Sequence, residues 1–388
     1  MMNQYLGYSE NELEKLKAYW TAKEIEQQPS CWKKTQEIVE IRQADIRPFM
    51  DKVFAHENLR IVMTGAGTSA FAGQSLAPSL AKLTGRRIEA IASTDIVSNP
   101  GQYFAEDLPT LLVSFARSGN SPESVAAVEL ADQCLTNCYH LFLTCNKEGL
   151  LHKSSVNNSK VLALLMPEET HDKSFAMTSS FSSMMIAAIS VLSGNEEMSE
   201  KVAQISQVTE TLIAQINSPI TEIASCDYER VIYLGSGTLQ GLAQESALKL
   251  LELTAGEVVA TFDSPLGFRH GPKSIVNNKT LIVVFISNDA YTRKYDLDLL
   301  KELRRDKSAG KVIAITAQSD QAVTEGEHFY VTDMQAACDT ELLFPYMIFA
   351  QIYAFHRAIS LNNSPDNPCP TGEVNRVVQG VTIHSFNS

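Results

Sequence analysis

The sequence predicts an α/β protein made of two related copies, each a parallel sheet with helices on both faces. Three observations predict it. The run Arg60-Ile-Val-Met-Thr-Gly-Ala-Gly-Thr-Ser69 returns as Arg230-Val-Ile-Tyr-Leu-Gly-Ser-Gly-Thr-Leu239, in each case an apolar strand ending in a Gly-x-Gly-Thr turn before a helical stretch. A second strand, Thr110-Leu-Leu-Val-Ser-Phe115, returns as Thr280-Leu-Ile-Val-Val-Phe285; Gly65 to Gly235 and Thr110 to Thr280 are the same 170 residues apart. Further apolar runs alternate with helical segments, the order that gives parallel sheets buried on both sides.

Taken in order, residues 1–44 read as a helical lead-in: an amphipathic stretch at Glu10–Gln27, then a helix opening at Ser30 after Pro29, with the serine as cap. The first copy is expected at 45–210, with a helix over Ala70–Leu83 and strands at His140–Thr144 and Lys160–Met166. A helix over Asn195–Asn217 joins the copies. The second is expected at 220–365, with a helix over Gln240–Thr254 and strands at Lys311–Thr316 and His328–Val331. From Asn362 onward Pro365, Pro368 and Pro370 forbid continuous helix, so the tail, 366–388, reads as an irregular surface arm.

With 388 residues, 44% of them hydrophobic, the chain can bury two cores without staples. Its 7 cysteines form no C-x-x-C pair and no zinc spacing, so reduced thiols in the cytoplasm, and no metal or other cofactor, are expected. Neither a signal peptide nor a run of about 18 apolar residues is visible. A net charge of −13 argues against nucleic acid and anionic membranes as partners, leaving small molecules and other subunits.

Ser114-Phe-Ala-Arg-Ser-Gly-Asn-Ser-Pro-Glu123 has the composition of a phosphate site: Gly119 for close backbone approach, Ser118 and Ser121 for hydroxyls, Arg117 for charge, and a helix start behind them. Ser69, at the end of the neighbouring strand, adds a hydroxyl. The plainer reading is a helix start with Ser121 as cap, Pro122 in the first position and Glu123 in the first turn. Against it stands the second copy, where the matching stretch is Ser287-Asn288-Asp289-Ala290. It has lost the Ser-Gly cluster and gained an acid, so only the first copy is expected to hold phosphate.

On the later helix Glu245, Lys249 and Glu252 fall at i, i+4 and i+7, a narrow stripe between Leu242, Leu253 and Leu248. A solvent-facing stripe would normally be broader, so a surface Glu–Lys pair is the less favoured reading. A loop punctuated by Pro and Gly follows, Asp263-Ser-Pro-Leu-Gly-Phe-Arg-His-Gly-Pro-Lys273. Its His270 is either a plain polar contact or a proton shuttle to a sugar ring oxygen.

Together these motifs resemble the SIS (sugar isomerase) family: Gly65-x-Gly67-Thr68-Ser69, Arg117-Ser118-Gly119-x-Ser121, Glu245-Ser-Ala-Leu-Lys-Leu-Leu-Glu252 and His270-Gly271-Pro272. The resemblance covers nearly the whole chain. It is to double-domain members, which include the isomerase half of glucosamine-6-phosphate synthase, and most of all to the AgaS branch, tagatose-6-phosphate ketose/aldose isomerases regarded as galactosamine-6-phosphate deaminases. It implies two tandem SIS domains. It implies phosphate binding by Ser69, Arg117, Ser118 and Ser121, beside the Gly119 turn read above; Gly67, Thr68, Glu245 and Lys249 are expected as supporting residues of the site. It further implies Glu252 as the base moving a proton between C1 and C2, with Lys249 holding its charge, and His270 as the residue that helps open the ring. A homodimer or larger homo-oligomer with a shared active site is implied as well.

Three departures from the synthases matter. Met177 replaces a serine in the segment Ala176-Met-Thr-Ser-Ser-Phe181 that matches a sugar-contacting stretch. About 45 residues precede the first copy, beginning Met1-Met2-Asn3, too few for a glutamine-hydrolysing domain. Asn375–Thr382 contains no lysine where the synthases carry a catalytic one, which disfavours Schiff-base chemistry there. The expected reaction converts a 2-amino-aldose phosphate, galactosamine 6-phosphate, to tagatose 6-phosphate and ammonia. Plain aldose/ketose isomerisation uses the same residues. A non-catalytic sugar-phosphate sensor is disfavoured by the short acidic lead-in. A dinucleotide enzyme is disfavoured by Thr68-Ser69-Ala70 where a third glycine is needed.

Overall fold

The computed structural model describes residues 4–194, 196–378 and 380–387. Met1–Asn3, Asn195, Gln379 and Ser388, on which part of the lead-in, joining-helix and tail expectations fall, lie outside the described residues. The chain divides into two compact units, one of residues 1–29, 173–176 and 203–371, the other of 30–172, 177–202 and 372–388.

The unit containing the first copy is built on a five-stranded parallel sheet: β1 (Arg60–Thr64), β2 (Arg87–Ala90), β3 (Thr110–Ala116), β4 (Cys138–Thr144) and β5 (Val161–Leu165), in the order β2-β1-β3-β4-β5. Every residue of β1, β3 and β4 is buried, as continuous apolar runs in a doubly covered sheet require. One face, through Val62 and Leu112, packs against Ile96, Ala127, Ala131 and Leu135 of helices Ser93–Ser98 and Pro122–Cys134 and the residue just after them. On the other face lies helix Thr68–Thr84, so close that a Cβ on Gly73 would stand 2.9 Å from that of Met63.

The second copy repeats the plan with β6 (Arg230–Leu234), β7 (Val259–Asp263), β8 (Thr280–Phe285), β9 (Lys311–Thr316) and β10 (His328–Tyr330), in the order β10-β9-β8-β6-β7. The equivalence extends to register: Thr64 pairs with Ser114, and Leu234 with Val284. It extends also to the turns, where Gly67 and Gly237 take positive φ of 57° and 55°. Helix Thr292–Asp306 covers the face of Ile232, Leu234, Ile282 and Val284. On the opposite face Tyr233, Phe285 and Tyr346 of helix Asp339–Ser360 stack in sequence.

Several expectations need correction. The lead-in holds helices Glu10–Leu16, Tyr19–Glu26, Gln28–Ile41 and Gln43–Phe54, not two. Lys17, in the left-handed region, ends the first of them. Ser30 is not a cap: the helix opens at Gln28, and Pro29 stands in its first turn, where its missing N–H costs nothing. The joining helix runs over Met198–Ala224. Ser69 is not at a strand end but in the first turn of its helix, because the glycine turn has already reversed the backbone by Gly67. No helix is long and apolar enough to cross a membrane among the described residues.

Candidate functional site

In a sheet ordered β2-β1-β3-β4-β5, successive crossovers leave β1 and β3 in opposite directions, opening a crevice at their carboxyl ends where ligands of such folds bind. The loops there are Gly65–Gly67, leading to Thr68 and Ser69, and Arg117–Ser121. At Gly65 any Cβ would fall 2.5 Å from that of Ser69, so this tight turn is open only to glycine. Gly119 has φ of +64°, which lets the Arg117–Ser121 loop curl toward the helix behind it.

Ser121 occupies the N-cap position of helix Pro122–Cys134, yet its hydroxyl makes no capping bond. The plain helix-start reading is therefore only half met: position and proline are right, but the hydroxyl and the helix end are left for another acceptor. Ser118 Oγ accepts from the Asn120 amide at 3.3 Å. Arg117 is buried at 6% exposure; Nη2 donates to the Arg376 carbonyl at 2.8 Å, while Nη1 is buried with no partner among the described residues. The hydroxyls of Thr64 and Ser114, register partners on β1 and β3, are likewise buried and without a hydrogen-bond partner among the described residues. Ser69 Oγ meets only the sulfur of Met177, at 3.9 Å. So many uncommitted donors at one strand end would be costly if nothing bound there.

At the corresponding place in the second copy the donors are already spent. Ser287 Oγ and the Asn288 amide donate to Asp339 at 2.5 and 2.8 Å, and the Ser287 amide and Ser236 Oγ to Asp296 at 2.9 and 2.5 Å. Asp289, the acid that replaces Gly119, accepts from the amides of Tyr291 and Thr292 and so fills the start of its own helix. Thr64 and Ser114 give way to Leu234 and Val284. Burial, reinforced by Asp339, pushes the Asp296 carboxyl up to about 6. Internal carboxylates thus stand where an anion would sit.

Glu245, Lys249 and Glu252 of helix Thr238–Leu253 are not a surface stripe. Lys249 is 1% and Glu245 2% exposed, with Lys249 Nζ 3.5 Å from Glu245 Oε1 and bonded to Glu252 Oε2. Glu252, at 23%, is the member that reaches solvent. A buried ammonium between two carboxylates is expensive to maintain and marks sites where charge has a task. His270 is exposed, on a loop held by the Ser264 hydroxyl, which accepts from the Gly267 amide, and by bonds from Arg269 and Lys273 to Glu302. Gly67, at φ of 57°, and Thr68, the first residue of the helix, form the turn that leads to Ser69.

Three residues near the Arg117–Ser121 loop carry no local signal in the sequence. Asp172 is fully buried, and Arg376 of the tail donates to its carbonyl. The neighbouring His171 is pushed below its usual range by burial and by the charges of Arg376 and Arg117. One trio among the described residues, Asp132, Cys138 and His140, has metal-donor chemistry. His140 Nε2 is already paired with Asp132 at 2.8 Å, and its buried Nδ1 has no partner of the kind that orients a ligating imidazole. The trio reads as a histidine–aspartate hydrogen bond beside a buried thiol.

Comparison with known proteins decides the family. The SIS domain model matches twice, over residues 54–193 and 222–360. The chain belongs to the SIS domain family. A relative from Escherichia coli named D-galactosamine-6-phosphate deaminase AgaS is 47% identical over 372 residues, covering 95% of this chain and 96% of that one. One of the same name from Shewanella sp. (strain ANA-3) is 44% identical over 381 residues, covering 97% and 95%. The crystal structure of tagatose-6-phosphate ketose/aldose isomerase from Escherichia coli superposes with a TM-score of 0.89 at 44% identity, over 95% of this chain and 97% of that one. The duplication read from the 170-residue offset is therefore a tandem pair of SIS domains, and the parallel five-stranded sheets are the SIS fold.

Proposed function

We propose that this SIS protein is an enzyme that converts galactosamine 6-phosphate and water to tagatose 6-phosphate and ammonia. The near full-length identity of 47% to a relative named for that deamination carries the reading. Chemistry supports it. The phosphate is assigned to Ser69, Arg117, Ser118, Gly119 and Ser121, whose unspent donors and open helix start suit a dianion. His270, exposed on its loop, is assigned to proton transfer at the ring oxygen, which frees the aldehyde. Glu252 then takes the C2 proton as a carboxylate and returns it at C1. O1 gains a proton as nitrogen loses one, so C1 becomes CH2OH and C2 a ketimine; water adds to C2 to give a carbinolamine, and its hydroxyl proton moves to nitrogen as the C–N bond breaks, leaving the ketone and ammonia.

Plain isomerisation between aldose and ketose phosphates is the second reading, favoured by the name of the Escherichia coli structure. Ammonia release from galactosamine 6-phosphate, compared with glucosamine 6-phosphate, separates the two. Interconversion of tagatose 6-phosphate with its aldose and no ammonia from either amino sugar would establish the isomerase. We further propose a cytoplasmic homodimer or larger homo-oligomer with a shared active site. The free cysteines suit a reducing compartment, and the exposed His270 loop suits a partner copy.

A further inference from the structure

Asp172 lies in a loop, yet it is 0% exposed and its carboxylate is saturated. It accepts from the amides of Thr178, Ser179 and Ser180 at 2.9, 3.2 and 3.0 Å, and from Ser180 Oγ at 2.5 Å. These are the first free N–H groups of helix Ser179–Ser193, whose own N-cap residue, Thr178, makes no capping bond. A charge brought from six residues upstream thus caps the helix and fixes the turn before it. That turn carries Met177, whose sulfur is the neighbour of Ser69 Oγ.

The other end of the same residue faces the phosphate loop. The Asp172 carbonyl accepts from the Arg376 guanidinium, and the Arg376 carbonyl accepts from Arg117 Nη2. Arg117 is held through this path with Nη1 left unpaired and buried. Asp172 therefore ties together the supports of both Ser69 and Arg117, two groups of different elements that must converge on one anion. A cap serving only the helix would need no such second connection.

We propose that Asp172 is a positioning residue for phosphate binding, acting through the Met177 turn on Ser69 and through Arg376 on Arg117. The inference rests on the phosphate assignment made above and not on which sugar is the substrate. Asp172→Asn keeps the shape, removes the charge, and turns an acceptor into a donor facing three N–H groups. The expected result is a rise of about tenfold in KM for the sugar phosphate, with kcat changed far less, and a matching loss of affinity for inorganic phosphate by calorimetry.

Ser180→Ala removes one of the four bonds while keeping the carboxylate, and is expected to raise the same KM about twofold to threefold. It serves where Asp172→Asn does not fold. A lower melting temperature with KM and phosphate affinity both unchanged would make Asp172 a plain helix cap and overturn the proposal. Wild-type protein that binds inorganic phosphate but releases no ammonia would instead overturn the deaminase reading alone, because the calorimetric comparison of the variants stands without turnover.

Discussion

Lys249 donates to the carboxylate of Glu252 one turn along the same helix, from a position only 1% exposed. The ammonium lies inside and the carboxylate at the edge, so the acid is oriented from below and open above. Glu252→Gln keeps that geometry but cannot take a proton. We expect kcat to fall by about 10²–10⁴-fold, the usual contribution of a general base, while phosphate affinity measured by calorimetry stays at the wild-type value. Unchanged turnover would remove Glu252 from the reaction.

Lys249→Met takes away the charge that faces both Glu245 and Glu252. Removing one partner of a buried ionic group costs roughly 3 kcal/mol or more. Thermal unfolding should show a fall in Tm of about 6–12 °C for a unit of this size, besides the loss of activity. A variant as stable as wild type would mean that the buried charges are compensated elsewhere.

Arg117→Met removes a guanidinium at the β3 loop whose Nη1 is buried and unpaired among the described residues. A charge-assisted bond is worth about 1.5–3 kcal/mol, which converts to a rise in KM of roughly 10- to 150-fold. Steady-state kinetics should show the effect in KM before kcat. Equal KM in the two proteins would place the phosphate elsewhere.

Asp339→Ala is the complementary experiment in the second copy. It strips the acceptor from Ser287 Oγ and the Asn288 amide and should cost about 1–3 kcal/mol in denaturant unfolding. KM should not move, because this loop holds its own carboxylates in place of a ligand. A changed KM would show that the second loop takes part in substrate binding.

Two buried groups set opposing pH dependences in the unit of the second copy. Burial raises the Asp296 carboxyl to about 6, so its contribution to stability is greatest at low pH and is lost as pH rises from about 4 to 6. Burial depresses His356 to about 4, so its contribution is present above about pH 6.5 and is lost as pH falls toward 4. Asp296→Asn should therefore steepen the loss of stability on acidification between about pH 6 and 4, and His356→Gln should flatten it. Unfolding free energies measured across that range check both signs.

The repeated strands and the glycine turns were legible in the chain itself, because parallel strands buried on both faces leave unbroken apolar runs and tight turns leave glycines at fixed places; the strand order and the partly exposed edge strands Arg87–Ala90 and Val259–Asp263 were not. The Arg117–Ser121 loop and the Glu245, Lys249, Glu252 stripe were legible for the same reason: each is a local pattern whose spacing is set by one element. The narrowness of the stripe argued against a surface pair, but only packing decides how deep each member lies, and here it put Lys249 inside.

Residues that act across long separations left no local trace. Asp172 reads as an ordinary loop acid until the fold brings the start of helix Ser179–Ser193 and the guanidinium of Arg376 to its two ends. Asp339 reads as a first-turn helix acid until it meets Ser287, 52 residues away. Hydrogen bonds of that reach depend on where whole elements come to rest, and that is a property of the packed core, not of any stretch of sequence.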